Sequence, residues 1–209
     1  MSKFQLIILL FFFSSGLFSQ NRQDSLWNSF IKKDLEKLNQ QDFENIPHVK
    51  AYRIWNSYQI LDLIQVDDST YTGQLINYVT KKLRNGKKEI IVSEQLKVPD
   101  YTVKNLIDKL TAEKLDSLPD SSEIEGYVSG LDGTFYVFQI SLNKSKRTIE
   151  FWEPENDYYQ NPALPEVKSI RNILQAIKKD IDLRRIFKNF IDNLEKGTYL
   201  YGGLCIVKL

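Results

Sequence analysis

NGKKEIIVSEQLKVPDYTVKNLIDKL, residues 85–110, carries two hydrophobic periods in succession, and the switch between them decides the fold. Asn85 with Gly86 is a tight-turn pair, because both residues tolerate the positive φ angles that such a turn requires. From Glu89 the chain alternates. Ile90, Val92, Leu96 and Val98 share one face, while Glu89, Ser93, Gln95 and Lys97 occupy the other, the pattern of a strand with one wet side. Pro99 and Asp100 stop that strand, and Asp100 is placed to cap a helix. Val103, Leu106, Ile107 and Leu110 then recur at spacings of three and four, one apolar stripe on a helix that docks on the sheet.

Working outward, residues 71–83 precede the turn as its partner strand, behind the Asp67-Asp68-Ser69 turn. Tyr52 to Val66, rich in aromatic and branched residues, reads as one or two further strands. Downstream, Pro119 to Gly133 is a polar, glycine-containing loop. Phe135 to Leu142 and Arg147 to Trp152 then form a second hairpin around Asn143, Lys144 and Ser145. Pro165 sits where a first helical residue belongs, ahead of Val167, Ile170, Ile173, Leu174 and Ile177. Another apolar stripe, from Leu183 to Leu194, is expected to end at Gly197 as a left-handed cap. Near the N-terminus, Trp27, Phe30, Ile31, Leu35 and Leu38 predict a helix from Asp24 to about Gln41.

The order of these elements describes an α+β domain, an antiparallel sheet of about five to six strands packed by amphipathic helices. It spans residues 20–209 as a single domain, with a helical extension at about 180–198. The tail from Tyr199 to Leu209 is expected to be an edge strand or a buried extension.

Gly130, Leu131, Asp132, Gly133 and the strand to Phe138, followed by Arg147 to Trp152, Glu153 and Pro154, resemble a loosely defined group of exported bacterial proteins of unknown function. In that group a G-x-D-G turn leads into a hairpin that ends in an aromatic-x-P loop, followed by a helix. The resemblance covers about Ala51 to Ile177. It implies the same order of elements and carries no activity.

Residues 1–19 read as a cleaved secretory signal. Lys3 supplies a positive start, and an apolar run of about ten residues from Phe4 to Phe13 falls short of the roughly 20 that a spanning helix needs. Leu17 and Ser19 suit the peptidase, so cleavage is expected near Ser19, leaving a secreted or periplasmic protein without a transmembrane anchor. The only cysteine, Cys205, is far from any lipidation position, which argues against a lipid anchor and leaves no partner for an intramolecular disulfide. Its neighbours Leu204, Ile206 and Val207 predict a small buried core residue.

With 28 basic and 27 acidic residues the net charge is +1, and losing Lys3 brings it to zero, so nothing here is a footprint for nucleic acid. The basic runs Lys81, Lys82, Arg84, Lys87, Lys88 and Lys178, Lys179, Arg184, Arg185 read as solvated turns and helix faces.

The densest candidate site is Glu150, Trp152, Glu153, Glu155, Asp157, Tyr158, Tyr159 and Asn161. Aromatic rings beside carboxylates are what a carbohydrate site uses, since rings stack on sugar faces and carboxylates bind hydroxyls or move protons. On a strand Glu150 and Trp152 point the same way, with Phe151 opposite. The ligand-binding candidates are therefore Glu150, Trp152, Glu153, Tyr158 and Tyr159. Asp132 between its glycines reads as a tight turn bonding its own backbone, because the alternating oxygen ligands of a calcium loop are absent around Asp120 and Glu123. His48, the only histidine, reads as a loop residue. No catalytic, metal or cofactor motif occurs. The leading expectation is a non-enzymatic exported domain that binds an envelope or extracellular partner. The rivals are a glycan binder or glycosidase using Glu150 to Asn161, and a self-associating protein using its tail.

Overall fold

The computed structural model describes residues 29, 31–56, 58–83, 89–143, 145–201 and 204–208. The expected leader, Trp27, Phe30, the Asn85-Gly86 turn and three of the basic residues, Arg84, Lys87 and Lys88, lie outside them. The chain divides into two units, residues up to Asp42 and Phe43–Leu209. In the first, residues 31–37 form helix α1, with Ile31 and Leu35 buried. The helix stops short of Gln41 because Asn39 adopts a left-handed conformation (φ 53°). Asn39 N–H then bonds Glu36 O, and Gln40 N–H bonds Leu35 O, which satisfies the last carbonyls.

The second unit begins with an antiparallel meander, β1 (Lys50–Asn56), β2 (Gln59–Gln65), β3 (Tyr71–Lys82) and β4 (Glu89–Val98), followed by helix α2 (Asp100–Ala112). The second hairpin, β5 (Phe135–Leu142) and β6 (Ser145–Trp152), adds to the free side of β1. Helices α3 (Pro165–Asp180) and α4 (Leu183–Asp192) come next, and then a third hairpin, β7 (Gly197–Tyr201) with β8 (Leu204–Lys208). Helices with an antiparallel sheet make the α+β class that the pattern predicts.

Among the described residues the sheet has eight strands rather than five or six. The difference is the tail. Gly197 opens β7 instead of capping α4, which ends at Asp192. β3 is long enough to hold two partners on one side, β2 along residues 71–77 and β7 along 80–82, while β4 fills its other side. Cys205 is exposed, not buried: on the outer strand β8, Ile206 turns toward Phe187 and Tyr199 and leaves Cys205 and Val207 on the opposite side. β4 also departs from the clean alternation. Val98 is buried, but Ile90 at the other end of the same face is exposed.

One face of the sheet packs against α2 and α3 in the main core. Tyr52, Ile54, Leu61, Leu63, Leu75, Phe138 and Ile149 meet Val103, Leu106, Leu110, Ile170, Ile173 and Ile177. Helix α2 comes close because β3 carries Gly73 at the crossing; a Cβ there would lie 2.7 Å from Val103 Cγ2. Asp100 is the first residue of α2, and Thr102 and Val103 N–H groups bond Pro99 O, so Asp100 acts on the helix dipole from within the first turn. Pro165 opens α3 as its position predicts. The outer edge of β6 is covered by residues 116–123. The Arg147 side chain donates to the carbonyls of Asp116 and Leu118, and Asp120 Oδ2 accepts Glu150 N–H at 2.9 Å, so the segment is tied along this edge and takes up one of the main-chain donors that would template a further strand.

The opposite face carries a row of polar residues in register across five strands: Gln74, Asp62, Arg53, Gln139 and Thr148. Arg53 and Asp62 are both 1% exposed. Arg53 Nε donates to Asp62 Oδ1 at 2.6 Å and Nη2 to Oδ2 at 2.9 Å, and Gln74 adds a third bond at 2.8 Å. The Phe43 ring lies 4.5 Å from the guanidinium. Removing one partner of such a pair strands a buried charge and costs about 3–5 kcal/mol. Denaturant titration of Asp62→Asn or Arg53→Met is expected to read a loss of that order. The double variant Arg53→Met/Asp62→Leu is expected to recover most of it, and a double loss equal to the sum of the two single losses would show that the pair itself contributes nothing.

Candidate functional site

Because Phe135 pairs with Trp152, the loop entering β5 and the loop leaving β6 meet at one end of the sheet. Gln160, 1% exposed, ties them together. Its Nε2 donates to Val128 O at 2.8 Å and to Trp152 O at 2.9 Å, and its Oε1 accepts Val128 N–H at 3.2 Å. Tyr127 OH donates to the same Trp152 carbonyl at 2.9 Å. Glu153, at φ 44°, exchanges two bonds with Thr134, its own N–H to Thr134 O and Thr134 N–H to its Oε1 at 2.6 Å. Asn156 and Asn161 each accept a main-chain N–H two residues on, shaping the loop that follows.

Trp152 is the keystone of this end. It is 6% exposed, and its indole N–H donates to Asp132 O at 2.8 Å. The two glycines of the G-x-D-G turn form its seat. A Cβ on Gly130 would fall within 3.0 Å of three indole carbons, and one on Gly133 (φ 128°) would lie 2.9 Å from the indole nitrogen. The motif is a socket for a tryptophan. Asp132 supplies its carbonyl to that socket, where the sequence suggested a side-chain bond to its own backbone.

Of the five candidate residues, the structure joins three. The Trp152 and Tyr159 rings are 4.6 Å apart, and the Tyr159 and Tyr158 rings 4.9 Å, edge to face. Tyr158 stands at the free end of this chain of rings, 87% exposed, and Tyr159 is 39% exposed. Glu150 is buried on the sheet face that Trp152 shares, and Glu153 is turned onto Thr134. The neighbouring carboxylates are engaged too: Asp157 with Arg171 at 2.7 Å, and Glu155 with Lys178 and the Tyr136 hydroxyl. Asp120 and Glu123 form a capping box on the short 3-10 turn at Ser121–Glu123. Among the described residues no group of three His, Cys, Asp or Glu side chains is arranged to hold a metal ion.

Sequence reasoning missed Val128, Leu131 and Gln160. Leu131 is fully exposed at the tip of the glycine turn, and Val128 is exposed beside it. Nothing in the motif itself marks Leu131 as exposed, because the glycines become a socket only once Trp152 is seated against them. Two further features are chemically limited. His48 is no simple loop residue: Nε2 lies 2.7 Å from Ser141 Oγ, and Nδ1 lies 2.6 Å from Ile46 O. Ser141, however, is buried within β5. A slot lined by Ile54, Asn56, Leu61, Leu174 and Ile177 measures about 20 Å³, the room of one or two waters.

Burial raises the Tyr127 and Tyr136 phenols above the ordinary tyrosine value, with Glu155 adding to the effect at Tyr136. Burial does the same for Tyr58 and Tyr52, the latter also bonded to Asp116 at 2.5 Å. The fold keeps protons that the unfolded chain gives up near about pH 10, so this stability is complete below that pH and is lost as the pH climbs beyond it. In an alkaline titration the tyrosinate absorbance of these four residues is expected to appear only together with unfolding. Gly130→Ala is expected to unseat the Trp152 indole, costing about 1–3 kcal/mol and shifting Trp152 fluorescence toward that of a solvated indole; an unchanged spectrum and stability would sink the socket reading. No protein-family model matches this chain, and no curated protein matches it in sequence.

Proposed function

We propose that this chain is an exported, non-enzymatic binding domain whose contact surface is the loop end of the sheet, with Val128, Leu131, Tyr158 and Tyr159 as the contacting side chains. The observation that carries the reading is a large apolar residue, Leu131, held wholly in solvent on a turn braced from below by Trp152 and Gln160. Exposed apolar side chains on rigid loops cost little ordering entropy on association, which is how binding surfaces are built. Export is supported by the short charged and apolar leader pattern at residues 1–19. Among the described residues no helix is long and apolar enough to cross a membrane.

A glycan binder is the second reading, favoured by the solvent-facing Tyr158 ring, which could stack on a sugar face. It ranks second because Trp152 faces its socket and Glu153, Glu155 and Asp157 are bonded within the loops.

A benzophenone side chain placed at position 131 or 158 in the natively produced protein is expected to give discrete photo-adducts with an envelope or extracellular component. The same group at Tyr101, an exposed site on α2, is expected to give none. Equal adducts at all three positions, or none at 131 and 158, would overturn the proposal. A glycan-array signal abolished by Tyr158→Ala would instead select the second reading.

A further inference from the structure

The charges around these apolar tips say what kind of partner they suit. Residues 119–134 and 152–164, the two loops that build the surface, contain seven carboxylates (Asp120, Glu123, Glu125, Asp132, Glu153, Glu155 and Asp157) and no lysine or arginine. Two cations reach in from α3, Arg171 to Asp157 and Lys178 to Glu155. With Glu123 left aside, six negative charges less two positive leave four, on a chain whose overall charge is +1. The bonds of Asp120 and Glu153 run to main-chain or hydroxyl donors, which orient the carboxylates without cancelling their charge. Glu125 and Asp132 are exposed on the same loop as Val128 and Leu131.

We infer that the occupant of this surface is a cationic polypeptide segment bearing apolar side chains, an inference that rests on the binding reading above. Charges of one sign gathered within about one Debye length, roughly 8–10 Å, act together on an approaching ligand, so the loop end attracts cations and repels nucleic acid, anionic lipid and acidic glycan. The contact itself needs apolar groups for Leu131 and Val128. The open face of Tyr158 accepts a guanidinium or ammonium in a cation–π contact. A protruding leucine suits a partner that closes around it, which a polypeptide does and a flat sugar face does not.

The test is fluorescence anisotropy of the full chain with three labelled peptides of equal length, alternating Arg-Leu, Ser-Leu and Glu-Leu. The Arg-Leu peptide is expected to bind at least about tenfold more tightly than Ser-Leu, with Glu-Leu weakest, and its affinity is expected to fall steeply with added salt. Glu125→Gln/Asp132→Asn is expected to weaken Arg-Leu binding by about fivefold. Leu131→Ser/Tyr158→Ser is expected to weaken it by about tenfold or more. All four positions are on the exposed loops, so circular dichroism and thermal unfolding should be unchanged, and Asp68→Asn, on the β2–β3 turn, should leave affinity unaltered. Equal binding of Arg-Leu and Glu-Leu, or Arg-Leu binding that survives Leu131→Ser/Tyr158→Ser, overturns the inference. If Ser-Leu binds as well as Arg-Leu and both are lost in that variant, charge selection fails while the contact surface stands. If none of the peptides binds, this inference falls, and the photo-adducts decide the broader reading separately.

Discussion

The buried pairing of Arg53 with Asp62 is the constraint around which the sheet is arranged. The two residues face each other across the first hairpin, and the flanking Gln74 and Gln139 extend the same row onto β3 and β5. A one-residue slip in either strand would swap inner and outer faces along its whole length, placing a charge in the aliphatic core beneath α2 and α3. Apolar packing supplies most of the free energy, but it discriminates poorly between registers in strands that are buried on both sides. The ion pair has one geometry in which both charges are satisfied, so it adds specificity where the hydrophobic pattern is ambiguous.

That central register carries through to the far end of the sheet. Once β5 lies against β1, Tyr136 is opposite Asn56 and Phe135 is opposite Trp152, so the loops that precede β5 and follow β6 are brought together. They are then locked by bonds that are mostly side chain to main chain, from Gln160, Tyr127, Trp152 and Glu153. Loops held this way keep their shape with no regular element of their own beyond the short 3-10 turn at Ser121–Glu123. The apolar residues at their tips stay in solvent because the side chains that could have folded over them, Trp152 above all, are already committed inward.

Much of the architecture was legible in the residues themselves. The alternation from Ile90 to Val98, the stripes from Val103 to Leu110 and from Val167 to Ile177, and the turn residues between them identify most of the elements, because each reports a local period or a backbone preference. Arg53 and Asp62 were hidden in plain view. Each is a single charge inside an apolar run, and only pairing across the hairpin shows that they neutralise each other. Cys205 was misjudged from its apolar neighbours, since burial depends on which side of an outer strand faces the core. Gly197 looked like a helix cap, and the long β3 turned it into the start of a strand.

For the candidate site the division is sharper. The amino-acid sequence determined that aromatic and acidic residues cluster between the second hairpin and the Pro165 helix, that two glycines bracket a turn before it, and that the domain is α+β, because these depend on composition, periodicity and local dihedral preference. Only the tertiary structure decided that Trp152 is a buried support while Tyr158 and Leu131 are surface, and that a carboxylate such as Glu153 serves the loop's own backbone. Direction and exposure are set by contacts between residues far apart in the chain, here Gly130 with Trp152 and Val128 with Gln160, and no local pattern encodes them.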